Sequence, residues 1–273
     1  MSSGSIGAYG LVIDGVTDRS WWNHAPEEWD CWDFTWCALS EDSQPPSDDS
    51  DRMVFPHLPG GFAVVDRRRA RTTLHMPQPL TEAGLVHPYI GSTVAAHSYW
   101  KGWHTFHAGS ALLGGAVWAF LGERERGKTS ALAWLASRDV PVFSDDLLVI
   151  RGDTAVAGPR ALDLRRSASQ QFGIGSYIGV LGTRGRWRHR LPPVPSEAPF
   201  GGFVSLAWHP EVVVEPVPAA ERLKLLLGSA PVIEYGSETR WLGLLGFPMI
   251  SLRRPKSWEQ LEQAMTALVN AIS

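Results

Sequence analysis

Cysteine is almost absent: Cys31 and Cys37 are the only two among 273 residues. Two thiols make neither a disulfide framework nor a four-cysteine zinc site, so a reducing cytoplasm is the expected setting. A surplus of basic charge is missing as well. Lys and Arg number 25 against 28 Asp and Glu, a net charge of −3, which argues against nucleic acid or an anionic membrane as the main partner. Long apolar runs are missing too. The longest uncharged apolar stretch, 109–122, is too short to span a bilayer, and the N-terminus lacks the basic and apolar segments of a signal peptide. The expectation is a soluble cytoplasmic chain, with 44% hydrophobic residues, enough for one large or two smaller domains.

What is present is concentrated between His107 and Ile150. Residues 116–121, AVWAFL, have the length and composition of a buried strand, and 131–137 have the alanine and leucine content of a helix. Between them lie Gly122, Glu123, Arg124, Glu125, Arg126, Gly127, Lys128, Thr129 and Ser130. This run fits the phosphate-binding pattern G-x-x-x-x-G-K-[ST]. A loop between a strand and a helix N-terminus presents unpaired N–H groups and the positive end of the helix dipole, both of which attract phosphate. In that setting Lys128 lies along the terminal phosphates of a nucleotide, and the Thr129 hydroxyl reaches a magnesium ion.

Asp145 and Asp146 follow a further apolar segment, 140–143, and so stand at the end of the next strand. Ligands of open α/β sheets collect at the carboxyl ends of strands. Strand alternation would point the two acids in different directions, one at the nucleotide's metal and one at an incoming hydroxyl. The spacing does not say which does which.

This run resembles the catalytic core of the HPr kinase family, bacterial protein-serine kinases with a fold akin to phosphoenolpyruvate carboxykinase. That family has a His-Gly or His-Ala pair, a strand, a phosphate loop, a helix and an Asp-Asp pair. Here His107 precedes Gly122 by fifteen residues, and Asp145 and Asp146 follow Lys128 by seventeen and eighteen. Leu162-Asp163-Leu164-Arg165 looks like the family's Leu-Glu-Ile-Arg segment, whose acid helps hold magnesium. The likeness is nearest to the HPr-kinase-like proteins associated with lasso-peptide biosynthesis, which phosphorylate a precursor peptide on serine. The resemblance implies an α/β fold, a P-loop kinase core with ATP and Mg²⁺, and a peptide or small-protein acceptor. It also implies a catalytic set of His107, Lys128, Asp145 and Asp146, with Asp146 favoured as base, and Thr129, Asp145 and Asp163 toward the metal. A small-molecule kinase or an inactive nucleotide-binding regulator of the same fold are the alternatives, and a homo-oligomer is left open. One departure stands out. The family loop carries small residues where this chain has Arg124, Glu125 and Arg126, so Glu125 is expected at a backbone position that usually calls for glycine.

The rest of the chain divides at Pro77 and Pro79 into a small strand-rich N-terminal domain, 1–80, and the kinase core, 81–273. Trp21, Trp22, Trp29, Trp32 and Trp36 fall within sixteen residues, as a core layer or a peptide-docking face. Residues 41–51, rich in acids, read as a mobile loop or linker. Residues 62–66 and 72–76 read as strands around the basic turn 67–71, and 85–107 as helical. His104 and His107, three apart, lack further ligands for zinc. A hairpin is expected around Gly152-Asp153, a basic loop at 184–190, and edge strands at 203–208 and 212–217 on account of nearby prolines. The last helix is expected over 257–272, with Ser257 and Gln260 as a capping box.

Overall fold

The computed structural model describes residues 4–40, 43–57, 60–181, 184–230 and 241–272. The N-terminal part is a seven-stranded sheet of β1 (Ile6–Ala8), β2 (Leu11–Ile13), β3 (Asn23–His24), β4 (Asp30–Ala38), β5 (Arg52–His57), β6 (Gly61–Asp66) and β7 (Arg71–Met76), in the order β3-β1-β2-β4-β7-β6-β5. β1 and β2 are joined by Tyr9 and Gly10, both at positive φ (58° and 86°), the backbone hand that suits a tight hairpin. β6 and β7 pair around the expected arginine turn. Of the segment 41–51, residues 41 and 42 lie outside the described residues; the remainder is a loop between β4 and β5, anchored by the bridge of Asp49 to Arg52.

Trp22, Trp29 and Trp32 are buried, whereas Trp36 is 40% exposed. The indoles fill a core layer, and two carry their polar N–H into it satisfied: Trp32 Nε1 donates to Thr72 Oγ1 at 2.9 Å and Trp29 Nε1 to Glu197 Oε1 at 3.1 Å. The same layer contains Val86, Ile90 and Val94 and, from further along the chain, Val149, Val156 and Ala161. The N-terminal sheet and the rest of the chain therefore share one hydrophobic core.

The run 85–107 is helical from Leu85 to Lys101 in two pieces, a π turn over Leu85–Tyr89 and α1 (Ile90–Lys101). His87 is extended, with Pro88 after it, and Gly102 ends α1 in the left-handed conformation before β8 (His104–Phe106). β9 (Gly109–Leu113), β10 (Ala116–Leu121), α2 (Lys128–Ala136), β11 (Val142–Ser144), β12 (Leu148–Arg151) and β13 (Thr154–Val156) follow. β12 and β13 form the expected hairpin. Next come β14 (Ala161–Leu164), α3 (Arg166–Phe172), β15 (Ser176–Leu181), β16 (Arg184–Arg190), β17 (Glu197–Trp208), β18 (Val213–Pro216), α4 (Ala219–Leu227), β19 (Met249–Arg254) and α5 (Leu261–Ile272).

The central sheet runs β11-β9-β10-β17-β13-β12-β8, with β19 beside β17 and β18 beyond it. β10, β17 and β19 are parallel, so their carboxyl ends open on one edge. Alternation along β10 separates two cores. Trp118 and Phe120 pack with α2 and α5, while Val117, Ala119 and Leu121 pack on the opposite face with Phe203 and α4. Burying a phenylalanine such as Phe120 or Phe203 completely contributes roughly 1.5–3 kcal/mol.

Three expectations are corrected. Residues 203–208 are central, paired with β10 and β19, because Pro199 and Pro210 flank that stretch and no ladder N–H is lost within it; β18 is the edge. The basic run 184–190 is strand β16, paired with β14 and β15. Its arginines at 184, 186, 188 and 190 have the two-residue period of a strand, which their charge obscured. The last helix starts at Leu261, not 257: Ser257 Oγ accepts from the N–H of Glu259 at 3.2 Å in a preceding turn. Leu261, Met265 and Leu268 form its buried face as expected. No helix among the described residues is long and apolar enough to cross a membrane.

Candidate active site

The glycine-bounded loop leaves β10 at Gly122 and enters α2 at Lys128, the strand–loop–helix order expected from the sequence. Gly127 precedes the helix at φ 92°, and no side chain caps it, so the first-turn N–H groups of Lys128, Thr129 and Ser130 keep their donor capacity. A Cβ at residue 127 would lie 2.7 Å from Arg254 Nη2 and 3.0 Å from the Trp208 ring, so only glycine fits. Arg254 is buried and stacks over Trp208 at 4.7 Å; burial brings its pKa down to about 10. Lys128 Nζ donates to the Gly122 carbonyl at 2.6 Å, folding the side chain back over the loop. Loss of water lowers the Lys128 pKa, and the negative charges of Asp146 and Asp145 pull the other way, so the acids face the loop electrostatically.

Glu125 adopts φ 72°, as its replacement of a small residue suggested. A left-handed non-glycine residue costs about 1–2 kcal/mol. Its Oε1 accepts from Arg165 at 3.1 Å and Arg184 at 3.2 Å, and these guanidinium groups lower its pKa. Glu123 pairs with Arg126 at 2.9 Å, and Arg124 is exposed.

The acid pair stands just after β11, but strand alternation does not separate its members. Asp146 is at φ 66°, and the chain turns between the two carboxylates. Asp145 Oδ2 accepts the backbone N–H of Asp163 at 3.0 Å. Loss of water, with the adjacent Asp146 charge, pushes the Asp145 pKa up to about 8. Asp146 is held by two imidazoles, His107 Nδ1 at 3.3 Å from Oδ1 and His87 Nδ1 at 3.5 Å from Oδ2. Burial lowers the His107 pKa, partly offset by Asp146.

Asp163 is placed differently from the expectation. Both of its oxygens are taken by Arg188, at 2.6 and 2.7 Å, in a pair with each residue less than a tenth exposed. Its N–H, not its carboxylate, is turned to Asp145, so the set Thr129, Asp145 and Asp163 is not assembled as three open ligands. Among the described residues no cluster of three His, Cys, Asp or Glu side chains is arranged for a metal. Magnesium bound with nucleotide phosphates and water needs only one or two protein oxygens, so it does not require such a cluster.

Beside the acids is a cavity of about 110 Å³, lined among others by Tyr9, His87, His107, Asp145, Asp146 and Asp163. Sequence reasoning missed two of these. Tyr9 reaches in from the β1–β2 turn, its N–H donating to Ala157 at 2.7 Å and its hydroxyl 3.5 Å from the Asp145 carbonyl. Burial and both acids raise its pKa well above the ordinary value. A tyrosine before glycine in a short β-prone run marks a turn, but nothing local says what the turn touches. His87 had no local signal beyond its type.

No protein-family model matches the sequence, and no curated protein does. Among solved structures, the chain is similar to the Hpr(Ser) kinase/phosphatase from Coxiella burnetii, with 16% identity over 61% of this chain and 95% of that one. The TM-score is 0.31, too loose for the likeness to bear on fold or activity.

Proposed function

We propose that this chain is an ATP- and Mg²⁺-dependent serine kinase of the HPr-kinase-like type, acting on a peptide or small protein. The observation that carries the reading is one arrangement: Lys128, at a glycine-bounded helix N-terminus, feels the charges of an acid pair whose member Asp146 is steadied by two imidazoles beside a small cavity. Phosphoryl transfer asks mainly for alignment and charge neutralisation. Lys128 and the first-turn N–H groups of α2 hold the phosphates. Thr129 and Asp145 would hold magnesium, which would neutralise phosphate charge; Asp145 would release its proton to solvent on binding it. Asp146 takes the proton of the acceptor hydroxyl as its oxygen bonds to the γ-phosphorus and the bond to the departing ADP breaks. His107 and His87 keep the Asp146 carboxylate aimed at the cavity.

The cavity beside Asp146 has room for a hydroxymethyl side chain, and serine as acceptor is supported by the resemblance. A small alcohol would fit equally, and that is the second reading. A role in lasso-peptide tailoring is supported by the resemblance over 107–165 alone. The test is incubation with γ-labelled ATP and Mg²⁺ against a serine-containing peptide library, with glycerol in parallel. Label on peptide serine supports the proposal, label on glycerol alone supports the second reading, and ATP binding without transfer to either supports an inactive regulator.

A further inference from the structure

A second cavity, of about 320 Å³, lies in the N-terminal part and belongs to none of the chemistry above. Its lining includes Asp30 and Trp32 from β4, Arg67 from the β6–β7 turn, and His97, Trp100 and Lys101 from the last turns of α1. Three of the four arginines of the turn region are matched with acids: Arg68 with Asp51 at 2.7 Å, Arg69 with Asp66 at 2.6 Å and Arg71 with Asp33 at 2.7 Å. Arg67 is the exception. Its side chain has no acid partner among the described residues, and it borders the cavity.

The single acid in the lining is already engaged. Asp30 Oδ2 lies 2.6 Å from Lys101 Nζ and 2.8 Å from His97 Nε2. Counting neutral His97, the lining carries one net positive charge, that of Arg67. Burial lowers the His97 pKa, Asp30 partly offsets this, and the charges of Lys101 and Arg67 add smaller contributions against a proton there. His97 is 3% exposed, and its Nδ1 has no hydrogen-bond partner, a buried polar atom left over at the cavity wall. The indoles of Trp32 and Trp100 supply apolar wall. The volume is within the range of small-ligand sites and larger than a bare anion needs.

We propose that this cavity binds an acidic peptide segment, with a carboxylate side chain on Arg67 and an adjoining apolar residue against Trp100. A guanidinium with no internal acid is the feature that selects a carboxylate, and the indole wall selects a peptide over a free ion. The site stands without the kinase reading. Where that reading also holds, the two cavities lie at opposite ends of α1, since Ile90 and Gly91 line the first and Trp100 and Lys101 the second. Nine residues of helix at roughly 1.5 Å each put them about 14 Å apart, a span of at least four extended residues. The acidic residue of the acceptor would then stand four or more positions from its serine.

The test uses the full chain and the acetylated, amidated dipeptide Leu-Glu, titrated while the indole N–H resonances are followed by NMR, with Trp100→Phe to assign the relevant signal. The expected result is a saturable shift of the Trp100 signal with Leu-Glu and none with Leu-Gln. Arg67→Gln is expected to weaken binding about tenfold, and Arg68→Gln, which removes an arginine already paired, to leave it unchanged. No shift up to the solubility limit, or equal binding by Arg67→Gln, overturns the site. Inorganic phosphate that shifts the same signal and displaces Leu-Glu overturns the peptide assignment and leaves a plain anion site. None of these readings depends on phosphoryl transfer, so failure here is separable from failure of the kinase proposal.

Discussion

The glycine-bounded loop and the acid cavity are close enough for both acids to act on Lys128, yet they are assembled in different ways. The loop is local: one strand, six residues and one helix, with its glycines, lysine and hydroxyl in a fixed order. The cavity is collected from Tyr9 in the first hairpin, His87 before α1, His107 after β8, and the acids after β11. A site of the first kind is specified by spacing. One of the second kind depends on the packing of the N-terminal sheet against the core, so its residues are far apart in the chain and respond to changes far from the chemistry.

The contrast is sharpest at Asp146. Asp146→Asn is expected to lower single-turnover transfer by about 10²–10⁴-fold while ATP affinity stays within a factor of about three, because the amide keeps the shape but cannot take the proton. Equal loss of transfer and of ATP binding would merge the two regions into one. A smaller effect is expected from His87→Ala, roughly tenfold on kcat with the ATP KM unchanged, since Asp146 keeps His107 at 3.3 Å but loses its second imidazole. His87→Gln, which retains a hydrogen-bond donor, should recover part of that loss; no recovery would make His87 a packing residue.

The loop, the acid pair and the hairpin after it were legible in the sequence because each depends on short-range order. So was the positive φ of Glu125, from a small residue replaced at a loop position. The fate of Asp163 was not legible. Its partner Arg188 is 25 residues away on a strand that its charge disguised as a loop, and only strand pairing brings the two together. Tyr9 and His87 were hidden for the same reason. The tryptophan cluster allowed two readings, and burial of Trp22, Trp29 and Trp32 decides for the core layer.

In metal-free protein, Asp145 gives a pH signature. Its folded pKa is raised from 3.8 to about 8, so the protonated folded state is favoured: the contribution to stability is full below about pH 4 and is lost as the pH rises to 8. Asp145→Asn removes this dependence. The half-buried residue retains some solvent screening, so melting of the variant should match the parent near pH 4 and exceed it by about 3 °C, roughly 1 kcal/mol, at pH 8. A constant difference across that range would place the carboxyl in water. Smaller still is Glu125→Gly, where relief of about 1 kcal/mol of backbone strain is set against two exposed ion pairs. Stability should change by less than about 1 kcal/mol, and ATP affinity should rise about two- to fivefold as an acid leaves the phosphate site. A fall in affinity would show that Arg165 and Arg184 hold the loop in shape through Glu125.

The most direct measurement is calorimetric titration of ATP with Mg²⁺ into the parent chain and into Lys128→Ala, each checked by thermal melting. The account predicts a single saturable site in the parent, at least about tenfold weaker binding in the variant, and unchanged melting of the free proteins. Absence of binding in the parent, or equal affinity in the two, would contradict it.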